Sequence, residues 1–264
     1  MRFLFQTKMK FRHTFCYLLF VLLIACTAPS YRLPAPTNEN ISSAINEINS
    51  ASLRPTKSVS MPEARAIIER VMEQLKPKAQ SMCNDLSERS SASCRNWQVT
   101  VEENNEFNAY ATGSDKIVIY KGIIEQTLYI DEVALVLAHE LSHHILNHIN
   151  ESSTNILVGR LVGAVLGAVI AGDVDTGANA GGYIANQTYS VAQESEADLI
   201  AIHILSAANF NLTQAREVIL HMAKNNEDAR TRSSFFDTHP VGPERLAQFD
   251  NAIKELQTKS TSSL

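Results

Sequence analysis

The segment LAHELSHHILNH, residues 137–148, restricts the fold more than any other part of this chain. It contains four of the eight histidines of the sequence, in a segment that is otherwise largely apolar. Helical periodicity and an acidic start predict one helix from Asp131 to about Ile149. Such a concentration of histidines indicates either a metal site or a chance cluster.

The helix carries an HExxH motif at His139, Glu140 and His143. Positions i and i+4 of a helix lie one turn apart on the same face, so the two histidines can bind one zinc ion. Zinc lowers the pKa of water toward about 7, and the neighbouring carboxylate can take the proton as the water attacks a carbonyl carbon. The apolar residues 134–138 would bury this site. The sequence therefore predicts one Zn²⁺ per chain, with Glu140 as the catalytic base.

His144 and His148 form a second i,i+4 pair, rotated by about 100° from the first, which prevents it from sharing the same metal. We interpret them as histidines that lie on the polar face or form hydrogen bonds. A downstream histidine of the metzincin type does not complete the zinc site, because Leu146 and Ile149 stand where that pattern needs Gly and His.

A second predicted helix offers the third zinc ligand. In QESEADLIA, Glu194 and Asp198 lie one turn apart. If this helix packs against the first, Glu194 can reach the metal, and Asp198 can accept a hydrogen bond from the outer nitrogen of a ligand histidine. Glu196 is assigned to a solvated acidic face.

The remaining periodicities predict one α+β domain over residues 61–258, mostly helical with a small sheet. Ser60 and Glu63 form a candidate capping box at its start. Further helices are expected within Ser190–Ala208, Thr213–Lys224 and Pro243–Thr258, and strands within 97–103, 106–112 and 116–122. Residues 259–264 are expected to form a disordered tail.

The N-terminal residues 1–25 are typical of an export signal, with basic residues before an apolar run too short to span a bilayer. The run ends in Leu-Ile-Ala-Cys, which resembles a bacterial lipobox and implies cleavage before Cys26 and acylation of its thiol. A plain secretory signal with an unmodified cysteine is the alternative. Thr27 follows the cysteine where the inner-membrane retention signal has Asp, which favours the periplasmic face of the outer membrane.

The composition that follows the signal suits an exported protein. Residues 26–60 are rich in Pro, Ser and Asn and are expected to form a flexible tether. Beyond the signal and Cys26, the chain keeps only Cys83 and Cys94, and in an oxidising compartment such a pair favours a disulfide. The net charge of −5 argues against nucleic acid as a partner.

The combination of HELSH with ExxAD at Glu194–Asp198 resembles peptidase family M48, which includes HtpX and the prenyl-protein CAAX proteases. The likeness extends over residues 62–252: residues 107–124 are similar to the family's NAF…G…V…GL region, and residues 235–246 to its HPxxxxR stretch. The soluble, lipidated branch (LoiP- or BepA-like) is the most similar.

The resemblance implies a zincin-like (gluzincin) metalloprotease domain whose sheet lies beside the HExxH helix. It implies the zinc ligands His139, His143 and Glu194, the base Glu140 and the orienting Asp198. It also implies that Asn108 and Ala109 lie on an edge strand that binds substrate by β-addition. The chain departs from the family at Val191, where an Arg usually follows the Ser.

His239, in DTHPVGPERL, is a further candidate. A zinc ion held by three protein groups keeps a fourth position for water or substrate. His239 could stabilise the negative charge that develops there, or occupy the fourth position itself and silence the site. A histidine that caps a turn is the alternative.

The Gly-rich apolar segment 156–187 is too short in its apolar part to span a membrane. A buried hairpin, a mobile cover over the cleft and a flap that faces lipid or a partner remain open.

From the resemblance we expect a zinc endopeptidase that acts on misfolded or unassembled envelope proteins, held at the membrane by its lipid. A chaperone or assembly factor with a gated or idle zinc site, working with envelope assembly machinery, is the alternative. A deformylase-like hydrolase would need a cysteine ligand, which neither Cys83 nor Cys94 is placed to supply.

Overall fold

The computed structural model describes residues 33–86, 94, 97–112, 115–149, 189–227, 239 and 241–262. The predicted export signal, Cys26 and the segment 156–187 lie outside these residues. The described part is mostly helical with one small sheet, which confirms the predicted α+β class. Within these ranges, no helix combines the length and the apolar character that a membrane span requires.

The helices, numbered in chain order, are α1 (Asn38–Ser50), α2 (Met61–Leu86), α3 (Lys121–Gln126), α4 (Ile130–Ile145), α5 (Val191–Ala207), α6 (Leu212–Ala215), α7 (Glu217–Glu227) and α8 (Pro243–Ser262). The local sequence explains two of their starts. The Glu63 backbone N–H donates to Ser60 Oγ before α2. At α5, Ser190 and Gln193 form a reciprocal capping box.

The sheet has the strand order β1-β3-β2, from β1 (Gln98–Glu102), β2 (Ala109–Thr112) and β3 (Lys116–Tyr120). β3 pairs parallel with β1 and antiparallel with β2, so that Ala109 lies opposite Ile119. Among the described residues, β2 is therefore an edge strand of this sheet.

α4 lies at the centre of the core. Val133 to Ile145 are all buried in it, and the helix packs against α2, α5 and both β2 and β3. Its first turn is held by Glu132, whose side chain accepts hydrogen bonds from the backbone N–H groups of Leu128 and Tyr129. At its other end His144 Nε2 lies 3.2 Å from the Lys116 carbonyl oxygen of β3. These contacts fix the histidine-rich turns of α4 between the sheet and the other helices.

The structure differs from the sequence prediction at both ends of the domain. α1 folds within the expected flexible tether, because Ala44 and Ile48 are buried and Arg216 forms ion pairs with Glu47 and Asp250. At the C-terminus, α8 continues to Ser262, into the expected disordered tail.

A disulfide joins Cys83, near the end of α2, to Cys94, which precedes β1. It is the pair that the cysteine count predicts. The link connects the long helix α2 to the strand that enters the sheet, and Cys83 is fully buried.

Candidate metal centre

Four buried side chains from α4, α5 and the segment before α8 converge on one point: His139, His143, Glu194 and His239. One ligand atom of each lies within 4.8 Å of the others. His139 Nε2 is 3.0 Å from His143 Nε2 and 3.2 Å from His239 Nδ1. Glu194 Oε1 is 3.0 Å from His239 Nδ1 and 3.4 Å from His143 Nε2.

This spacing fits a tetrahedral zinc ion. Ligand atoms placed about 2.0–2.1 Å from such an ion lie about 3.3–3.4 Å from one another. Three imidazole nitrogens and one carboxylate oxygen are donors that zinc prefers. The three ligands predicted from the sequence therefore meet at one point, and His239 joins them as a fourth candidate ligand.

Asp198 fixes the orientation of His139. Its Oδ1 lies 2.9 Å from His139 Nδ1, which leaves Nε2 to face the centre. Arg245 donates to both oxygens of Asp198, from Nε at 2.7 Å and from Nη2 at 2.9 Å. Burial by itself lowers the pKa of His139, but the charge of Glu194 and the hydrogen bond to Asp198 raise it to about 9. A metal ion at this centre would therefore compete with a proton for His139.

Arg245 also neutralises Glu194. Its Nη1 lies 2.7 Å from Glu194 Oε2, so one guanidinium contacts both carboxylates of the ExxAD motif. Burial raises the pKa of Glu194, but the positive charges of His239, Arg245 and His139 outweigh this and lower it well below its usual range. Glu194 is thus held as an anion. The role of Arg245 was not predicted, although the HPxxxxR resemblance contained it.

Glu140 lies beside the four candidate ligands and is fully buried. Its Oε1 is 3.4 Å from His239 Nε2. Within the described part of the chain, neither of its carboxylate oxygens accepts a hydrogen bond. A buried carboxylate in this state needs a cation or water nearby, which supports a metal and its water at this centre.

Beyond the candidate ligands, Glu196 differs from its prediction, whereas the hydrogen bonding expected of His148 is confirmed. Glu196 is buried, not solvated, and its Oε2 lies 3.2 Å from His148 Nε2. His148 Nδ1 in turn lies 2.9 Å from His143 Nδ1. The two residues thus lie on the outer side of the ligand His143. α4 ends at Ile145, so His148 does not continue the helical pair with His144.

Tyr189 is a site residue that no sequence motif predicts. Its ring stacks on that of His143, with 3.7 Å between the centroids and 17° between the planes. Burial, and then the charges of Glu140 and Glu194, raise the pKa of its hydroxyl. The one sequence feature that points to it is its position directly before Ser190, the N-cap of the helix that carries Glu194.

The predicted substrate residues lie on the sheet beside this centre. Ala109 opens the edge strand β2, and the buried Asn108 precedes it, with its carbonyl oxygen accepting from the Tyr120 N–H. β2 packs against α4, the helix that carries HExxH. The expected position on an edge strand agrees with the sheet order for Ala109, whereas Asn108 lies directly before the strand.

The model of Peptidase family M48 matches residues 73–253, which is more than half of the chain and includes all four residues of the candidate metal centre. A comparison with curated proteins finds no match. The chain belongs to peptidase family M48, and this membership implies a metallopeptidase.

Proposed function

We propose that this protein is a zinc-dependent endopeptidase. The observation that carries the proposal is the buried cluster of His139, His143, Glu194 and His239, with the carboxylate of Glu140 next to it. The two histidines of α4 and Glu194 of α5 would hold the ion. Asp198 would keep the tautomer of His139, and Arg245 would balance the charge of the carboxylates.

A zinc ion bound there would polarise the scissile carbonyl and make water more acidic. Glu140 is the base in this proposal, because its oxygens accept no other hydrogen bond among the described residues and can take a proton from water. The same carboxyl group can then pass the proton to the leaving amine. Burial of the centre keeps bulk water away and strengthens these charge interactions.

His239 decides whether the centre is open or closed. Its Nδ1 lies 3.2 Å from His139 Nε2 and 3.0 Å from Glu194 Oε1, in the place where a catalytic zinc ion would need a water or a substrate oxygen. If a zinc ion were bound, His239 would be its fourth protein ligand and would compete with a substrate carbonyl for that position. If it left that position, its ring could instead donate a hydrogen bond to the oxyanion.

The substrates we propose are unfolded or misassembled polypeptides of the bacterial envelope. An extended chain can add to the edge strand β2, where Asn108 and Ala109 lie next to the helix that carries Glu140. Folded proteins seldom offer an extended segment of this kind, so the mode of binding favours unfolded chains. The envelope location rests on the export signal and lipobox that the sequence predicts.

The direct test is degradation of unfolded casein by the purified protein. We expect cleavage that a zinc chelator abolishes and that added zinc restores. Glu140→Gln should keep stoichiometric zinc but lose at least about 100-fold in turnover, because the water loses its base. Zinc-loaded protein that leaves unfolded chains intact under all conditions would contradict the proposal, as would full turnover by Glu140→Gln.

A second candidate function is a chaperone or assembly factor whose zinc site is gated. The position of His239 in the ligand cluster favours it, because a fourth protein ligand closes a zinc site. The two functions differ in their response to Glu140→Gln. The chaperone would be favoured if the wild type did not cleave unfolded protein but protected it from aggregation, and if Glu140→Gln protected it equally well.

The lipid anchor is a separate proposal. Cys26 should carry acyl chains in the mature protein, which mass spectrometry of the N-terminal peptide can detect. Cys26→Ser should leave the membrane fraction or remain uncleaved. An unmodified Cys26 in mature protein from the native compartment would exclude the anchor.

A further inference from the structure

The chain turns sharply directly after the zinc-binding helix. α4 ends at Ile145, and Asn147 has φ 63°, a left-handed conformation that Asn adopts more readily than most residues. On a continuous helix, residues five apart would point about 140° away from each other. The turn at Asn147 instead brings His148 back to His143, with 2.9 Å between their Nδ1 atoms.

The direction of the hydrogen bond between these rings follows from the geometry. His143 Nε2 faces the cluster, 3.0 Å from His139 Nε2, and must present a lone pair there to bind a metal. The proton of His143 is therefore on Nδ1 and is donated to Nδ1 of His148. His148 then carries its own proton on Nε2, which it donates to Glu196 Oε2 at 3.2 Å.

The two α4 histidines of the cluster are thus oriented by different routes. Asp198 contacts His139 directly, whereas Glu196 reaches His143 through one intervening imidazole. Both carboxylates belong to α5, two positions apart, and both are buried. The second route explains why Glu196 and His148 are buried, although neither is close enough to bind the same ion.

We propose that His148 and Glu196 are positioning residues, which fix the tautomer and ring orientation of His143 and raise its affinity for zinc. The proposal rests on the proposed zinc site. It extends that site to the carboxylate of Glu196, which the spacing of the ExxAD motif does not connect to the metal. Loss of an outer partner of a zinc-bound histidine lowers metal affinity by about 10–100-fold.

The test is zinc affinity, measured by competition with a chromophoric chelator, in variants of the full mature protein. His148→Phe fills the space but leaves the His143 Nδ1–H without an acceptor, so zinc should bind about 10–100-fold more weakly. His148→Asn is the matched control, because its amide oxygen can take the place of Nδ1. We expect it to retain most of the affinity that His148→Phe loses.

Glu196→Gln tests the far end of the chain. An amide oxygen can still accept from His148, so its affinity should fall between those of the wild type and His148→Phe. Circular dichroism and thermal unfolding of the zinc-free variants show whether each is folded. If His148→Phe does not fold, the comparison of His148→Asn and Glu196→Gln with the wild type carries the test.

Imidazole ¹⁵N NMR of the zinc-loaded protein provides a readout that a packing role would not affect. We expect His148 as the Nε2–H tautomer and His143 with a slowly exchanging Nδ1–H. A proton on Nδ1 of His148 would overturn the inference. So would folded His148→Phe and Glu196→Gln variants that both bind zinc within about twofold of wild type, because positioning implies a loss of zinc affinity of at least about tenfold in His148→Phe. Failure of the wild type to bind zinc would instead reject the proposed function.

Discussion

His221 should make the folded protein sensitive to mild acid. It lies buried on α7, where its ring meets Phe107 edge-on at 5.5 Å and its Nε2 accepts from Asn225 Nδ2 at 3.0 Å. Burial, assisted by the positive charge of Arg54, lowers its pKa from the ordinary 6.5 to about 4. The residue thus has to be neutral in the native state at any pH above about 4.

The sign and size of the effect follow from proton binding. Between pH 6.5 and pH 4 the unfolded chain binds a proton at His221 that the native state excludes. The free energy of unfolding therefore falls as the pH decreases through this window. With one pKa unit equal to 1.36 kcal/mol, the loss from this residue is about 2 kcal/mol between pH 7 and pH 5, and approaches about 3 kcal/mol below pH 4.

The assay is urea unfolding of wild type and His221→Gln at pH 7, 6 and 5, in chelator so that loss of zinc does not contribute. Gln places an amide oxygen near the position of Nε2 and does not titrate. The stability of the wild type relative to the variant should fall by about 2 kcal/mol from pH 7 to pH 5. Two stability curves that stay parallel across this range would refute the reasoning.

Three further variants test other contacts. His239→Ala should keep zinc and raise turnover at least about tenfold if the fourth ligand blocks the site, whereas a fall would assign it to oxyanion stabilisation. Gly122→Ala should lower the free energy of unfolding by about 1–3 kcal/mol, because its methyl group would overlap the carbonyl oxygens of Asn105 and Glu106; thermal unfolding measures this. Arg245→Met should lower the free energy of unfolding by about 3–5 kcal/mol, because two buried carboxylates lose their guanidinium partner; a change below about 1 kcal/mol in urea unfolding would contradict that view.

Local periodicity predicts much of this fold. The helical spacing of apolar residues marks α2, α4, α5 and α8, and the alternating runs mark the three strands within a few residues of their ends. The juxtaposition of HExxH with ExxAD could be expected because each motif places its polar residues one helical turn apart. Both patterns are properties of single elements, which a sequence displays directly.

Contacts between distant segments were harder to predict. α1 has a polar sequence with two buried residues, and the helix packs against α8 and α7, which are distant in the sequence. Glu196 looked like a surface acid because its partner His148 is reached only through a left-handed turn at Asn147. Tyr189 has no motif of its own, and its ring contacts with His143 and His239 show that it belongs to the site.

The packing of α1 limits how far the catalytic domain could stand from a membrane. If Cys26 carries the lipid, the linker ends where Thr37 caps α1, and not at residue 60. Ten residues lie between these two positions, and the eleven Cα–Cα steps of a fully extended chain reach at most about 40 Å. The start of α1 would then stay within about 40 Å of the lipid. Substrates would therefore have to reach the protein close to the membrane surface.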